Sequence, residues 1–230
     1  MNRLKTLVVG ATALLASTTA FGAPSKDDVK RLNQSTVVLG EIRNASDIPD
    51  PIWSKAECVV VIPSMKKAAF IIGGEFGSGV MSCRHGSGWS APVFMQLAKG
   101  SAGFQIGAQS TDLVLMVMNR SGVDKLLGNK VTLGTDASVA AGPVGRAASA
   151  ATDAQMTAQM LSYSRAKGLF AGIDLAGGTL KPDGDANARV YGTVSAREIA
   201  LGPKAVAMTA EARAFTSALG TNVRATSGKK

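Results

Sequence analysis

Between Glu57 and about Ala200 the chain is a succession of short apolar or β-branched runs separated by glycine, and this pattern restricts the fold more than any other feature. The runs cover residues 58–62, 68–73, 80–84, 91–97, 103–108, 113–118, 131–133, 137–141, 160–164, 169–175 and 189–195. Eleven such runs at close spacing point to an antiparallel sheet and not to alternating βαβ units. Runs such as CVVVI at 58–62 and LVLMVM at 113–118 are apolar on both faces, which requires a strand covered on two sides. Helical patterns flank this region. Residues 25–47 open on a capping-box-like Ser25 and Asp28 and place Val29, Leu32, Val38, Leu39 and Ile42 broadly on one face. The segment IPDPI at 48–52 breaks that helix, a short helix is expected over 121–128, and a last one over 203–219. The expected fold is α+β: a β-rich antiparallel sandwich or barrel-like sheet packed with N-terminal and C-terminal helices. One domain should run over 25–220, followed by a flexible basic tail at 221–230.

Composition agrees with a packed core. The chain has 230 residues, 46% hydrophobic and 18% charged, far from the apolar-poor, charge-rich make-up of a disordered segment. Its formal charge of +9 needs a correction before it is interpreted. Residues 1–22 carry Arg3 and Lys5, an apolar stretch from Leu7 to about Ala16, and small residues up to Gly22, the pattern of a cleaved secretory signal. Removing them takes two of the 25 basic residues and none of the 16 acidic ones, which leaves 23 against 16, or +7. An exported protein is therefore expected, in the periplasm or cell envelope or secreted beyond it. Such a compartment permits disulfides. Cys58 and Cys83 are the two cysteines, and they are either bonded or two buried thiols.

Catalytic chemistry finds little support. The single histidine, His85, stands two residues from Cys83, and a nucleophile and base pair would need it. Zinc spacing is absent. Asp183, Asp185 and Asn187 match the opening of a calcium loop, but Ala188 stands where its glycine belongs and Val194 where its bidentate glutamate belongs. The glycine clusters read as hairpin connections and not as nucleotide-binding loops. No cofactor is expected. Aromatic residues are few and are not interleaved with basic ones, so nucleic acid is not an expected partner. What remains is basic charge on a β-rich body, and such groups attract anionic surfaces.

Six blocks in order give the sequence an identity beyond its composition: CVVVIPSMKK at 58–67, GGEFGSGVMSCR at 73–84, WSAP at 89–92, GFQIG with QSTD at 103–112, LGTDASVAAGPVGR at 133–146 and SYSRAKGLFAG at 162–172. Together they resemble the SYLF domain family. The resemblance implies a lipid-binding domain without catalysis, related to eukaryotic proteins that join it to SH3 or FYVE domains and act in actin assembly and membrane traffic. A signal sequence sets this chain apart from those relatives, so actin binding is expected only by similarity. The expected partner is an anionic phospholipid or membrane surface, with a cell-envelope protein as the alternative. Lys66, Lys67, Arg84, Arg146, Arg165 and Lys167, the basic positions inside the matching blocks, are the candidate lipid-binding residues.

Overall fold

The structure is a computed structural model and describes residues 22–46, 48–69, 72–102, 110–144, 157–166 and 169–220. Residues 1–21 of the expected signal sequence, the run at 103–108 and the basic tail at 221–230 lie outside the described residues.

The glycine-separated runs form one curled, open sheet, so the fold is α+β and the barrel-like alternative replaces the sandwich. Its central strand, β1 (Cys58–Ala69), lies antiparallel between β2 (Ile72–His85) and β5 (Ser110–Val117). Outward from β2 follow β4 (Val93–Ala102), β10 (Thr179–Pro182) and β6 (Val131–Thr132); outward from β5 follow β8 (Met160–Ala166) and β7 (Val139–Ala141). The β7–β8 pair is parallel, which makes the sheet mixed where an antiparallel one was expected throughout. Two short strands, β3 (Gly88–Trp89) and β9 (Leu169–Gly172), extend β2 and β8 as hairpins. Residues 59–62 of β1 and 113–117 of β5 are wholly buried, as strands apolar on both faces must be.

Cys58 and Cys83 are direct cross-strand partners in β1 and β2 and form a disulfide. Further along, β1 bulges. Ile62 pairs with Leu113 and Met65 with Thr111, so Pro63 and Ser64 together face one residue, Asp112. Proline has no N–H for the ladder and is tolerated in a central strand only at such an irregularity. Ser64 adopts a left-handed conformation, φ 51°, and its N–H donates to Asp112 Oδ1 at 2.9 Å. On the other side of the bulge β2 comes so near that a Cβ on Gly79 would fall 1.9 Å from the Val61 carbonyl oxygen.

Helix α1 (Lys26–Ala45) starts on the expected capping box, in which Asp28 N–H donates to Ser25 Oγ and Ser25 N–H donates back to the Asp28 carboxylate. It packs on β1 and β2 through Leu32, Val38, Leu39 and Ile42. The segment IPDPI does end this helix, but it also begins α2 (Asp50–Lys55), because proline is well accommodated in a first turn. Helix α3 (Arg120–Leu126) is capped by Asn119 and so begins one residue before the expected span of 121–128.

The C-terminal third departs further from the pattern. The run at 189–195 is not a strand: α4 (Gly184–Tyr191) reaches into it, capped by Asp183 and burying Ala186, Asn187, Val190 and Tyr191. Ser195 and Glu198 then form a second capping box and open α5 (Ala196–Leu201), which stops before Pro203. The last helix, α6 (Ala210–Ala218), starts only at the Thr209 cap, and Phe215 anchors it in the core beside α1.

Candidate functional site

The sheet register brings one face of the strands to a cleft beneath α1. Ser110, Lys66, Phe76, Ala98 and Thr179 are successive cross-strand partners on β5, β1, β2, β4 and β10, so their side chains stand on the same face. Two residues along β2 the next row on that face is Ser78, Gln96 and Lys181. Helix α1 forms the wall with Asp27, Lys30, Arg31 and Gln34, and the bulge residues Pro63 and Ser64 close one end. The enclosed volume is about 650 Å³.

The cleft is basic. Four cations, Lys30, Arg31, Lys66 and Lys181, line it against one carboxylate, Asp27. Arg31 is engaged within the protein, since its Nη1 donates to Asp183 at 2.6 Å. Lys30, Lys66 and Lys181 make no ion pair among the described residues. Phe76 stands in the same floor with 61% of its surface exposed, in a sheet where Phe94 and Tyr163 are buried.

Two ion pairs hold the wall in place. Asp28 of α1 accepts from Arg189 of α4 at 3.1 Å, and Arg31 of α1 reaches Asp183 at the start of α4. Burial raises the pKa of Asp28, but the Arg189 guanidinium and the Ser25 hydroxyl and N–H outweigh it and hold the carboxyl below its ordinary value. Asp183 behaves alike: burial raises its pKa, and Arg31, the Ala186 N–H and Gln96 lower it by more.

Of the sequence candidates among the described residues, Lys66 alone lines this cleft, from strand β1. Arg84 is bound within the protein. Its Nε donates to the Ala56 carbonyl at 2.6 Å, its Nη2 to the Trp53 and Ser54 carbonyls, and its guanidinium stacks 4.8 Å from the Trp89 ring centroid. Arg165 pairs with Glu41 of α1 and lies 4.0 Å from Asp112, so it ties the helix to the strand that supports the bulge. The side chain of Lys67, and Arg146 and Lys167 altogether, lie outside the described residues. Lys30, Lys181 and Phe76 escaped the sequence reading. Helical spacing on α1 puts Lys30 and Gln34 on one stripe, but nothing local joins that stripe to Lys181, some 150 residues away.

The other candidate chemistry is dispersed. Cys83 is a disulfide sulfur and not a thiol, and His85 Nε2–H donates to the Gly202 carbonyl at 2.8 Å. Asp183 caps α4, where its Oδ1 accepts from Ala186 N–H. Asn187 is turned onto β4, accepting from Phe94 N–H at 2.9 Å and donating to Phe94 O at 3.0 Å. Those contacts use side-chain oxygens of Asp183 and Asn187, two of the three residues of the calcium-loop match. Among the described residues no group of three or more His, Cys, Asp or Glu side chains converges as a metal site, and no helix is long and apolar enough to cross a membrane.

Comparison with known proteins identifies the family. The sequence profile of the Ysc84 family, described as "Las17-binding protein actin regulator", matches residues 98–222, more than half of the chain. An SH3 domain-containing protein of Schizosaccharomyces pombe is 38% identical over 161 residues, which cover 67% of this chain and 37% of that protein. LAS seventeen-binding protein 3 of Saccharomyces cerevisiae is 36% identical over 149 residues, 63% of this chain and 32% of the relative. SH3 domain-containing YSC84-like protein 1 of Xenopus laevis is 34% identical over 184 residues, 77% of this chain and 54% of the relative. The chain thus spans between about a third and about half of the length of these relatives.

Proposed function

The chain belongs to the Ysc84 (SYLF) family, and from that premise we propose that it is a non-enzymatic domain that binds anionic phospholipid at a membrane surface through the cleft beneath α1. The observation that carries the reading is the convergence of Lys30, Lys66 and Lys181, none ion-paired among the described residues, around a solvent-open cleft of about 650 Å³. Arg31 adds charge from its ion pair, and Ser64, Ser78, Gln96 and Thr179 offer hydrogen bonds to phosphate oxygens. Three ammonium groups near an acidic surface contribute about 1 kcal/mol each, so binding should fall steeply as salt rises. The same reading takes the product to the periplasm or cell envelope, with the mature chain beginning at Ala23; N-terminal sequencing of protein from the native envelope tests that start.

The test of binding is co-sedimentation with phosphatidylglycerol vesicles and with phosphatidylcholine vesicles. We expect retention on the acidic vesicles alone, weakening with salt, and a loss of about a hundredfold when Lys30, Lys66 and Lys181 are all changed to Gln. Equal retention on both vesicle types, or on neither, overturns the proposal.

A second reading follows from the relatives' names, since LAS seventeen-binding protein 3 is named for a protein partner. On that reading the domain is a protein-interaction module of the envelope, with actin binding coming by family similarity. Co-sedimentation with actin filaments that is undiminished in the triple lysine variant would favour it.

A further inference from the structure

We propose that Phe76 is a membrane anchor: when the cleft docks on an anionic bilayer, its ring enters the boundary between headgroups and acyl chains while the surrounding lysines hold the phosphates. This rests on the phospholipid reading above and adds the mode of docking, insertion and not surface attraction alone.

Phe76 lies mid-strand in β2, flanked by β1 and β4, where a large aromatic side chain would ordinarily be covered. Its cross-strand neighbours are Lys66 and Ala98, and two residues away along its own strand stand Gly74 and Ser78. The ring leans over Gly74, where a Cβ would come within 2.6 Å of Phe76 Cε2. Among the described residues the floor is poor in side-chain bulk, and the ring stays 61% exposed. Among the described residues one other large apolar side chain is similarly exposed, Val37 at 58%, and it belongs to α1, the helix that walls the cleft. It is seven residues from Lys30 and three from Gln34, so all three share a stripe of α1.

The chemistry of the surround selects a bilayer over a protein. Protein interfaces are depleted in lysine and cluster their aromatic anchors with arginine. Here one ring stands among three lysines, the cleft's one arginine, Arg31, being held by Asp183, and the long apolar lysine stems can follow the ring toward the membrane while their ammonium groups stay at the phosphates.

The experiment uses a Phe76→Trp variant of the full chain. Native Trp53 and Trp89 are 5% and 9% exposed, so a change in emission on docking reports position 76. With phosphatidylglycerol vesicles whose acyl chains carry bromine, we expect a blue shift and quenching, neither of which soluble glycerol phosphate produces. In parallel, Phe76→Ser should weaken vesicle binding about tenfold or more at unchanged thermal midpoint, since the ring contributes little to the core. Vesicle binding with unshifted, unquenched emission, or unaltered by Phe76→Ser, overturns the insertion and leaves the phospholipid reading standing. Absence of any vesicle binding overturns both.

Discussion

Asn187 shows what a single side chain does for this fold. Its amide stands against β4 as a strand would, satisfying both the N–H and the carbonyl of Phe94, and it is itself 5% exposed. Removing it leaves the buried Phe94 N–H short of its partner, while the carbonyl keeps the Asp183 N–H at 2.9 Å. We expect Asn187→Ala to cost about 2 kcal/mol in urea unfolding, with neither the wild type nor the variant stabilised by added calcium. Calcium-dependent stabilisation of the wild type alone would return the residue to a metal site. The three residues at 183, 185 and 187 were legible as the opening of a calcium loop that the following residues do not complete. Their roles were not, because Phe94 is 93 positions away in the chain. The same distance problem separated the cations. Nothing local distinguishes Arg84 and Arg165, which are tied down inside the protein, from Lys66, which faces the cleft, since Arg165 finds Glu41 across 124 positions.

At the scale of elements, the strands were well announced and the C-terminal helices were not. β-Branched and apolar runs set off by glycine specify strands locally, and nearly all those among the described residues are strands. The run at 189–195 misled because Val190, Tyr191 and Val194 suit a strand and a helix face equally; the Asp183 cap and the tie of Asn187 to β4 decide for α4. Helix α1 is joined to α4 by reciprocal ion pairs, Asp28 with Arg189 and Arg31 with Asp183. Both carboxyls titrate below their ordinary values in the folded protein, so the unfolded chain binds more protons around pH 4. The stabilisation is therefore complete above the unfolded carboxylate pKa of about 4 and is lost as pH falls through the lower folded values. Thermal midpoints should fall between pH 5 and pH 2, and Asp28→Asn should flatten part of that fall while lowering the midpoint at pH 7. A variant with the full acid dependence of the wild type would remove the Asp28 pair from this account.

For the whole molecule, the Cys58–Cys83 bridge joins the two strands at the centre of the sheet and closes a loop of 25 residues. A bridge of that span stabilises by roughly 3 kcal/mol in the chain-entropy model. Reduction, or paired Cys58→Ala and Cys83→Ala substitution, should lower the melting midpoint by about 6–12 °C without changing the fold. An unchanged midpoint by calorimetry would show that the packing of β1 and β2 suffices alone. The sequence by itself determined the α+β class, the central buried strands, the family and the basic character, because these depend on local periodicity, on ordered blocks and on charge count. Tertiary structure alone decided that the sheet is one curled layer, that the cysteines are bonded, and that Lys30, Lys66, Lys181 and Phe76 share one cleft. Those outcomes depend on strand register and on contacts between residues far apart in the chain, and a one-residue change of register would turn every side chain of a strand to the opposite face.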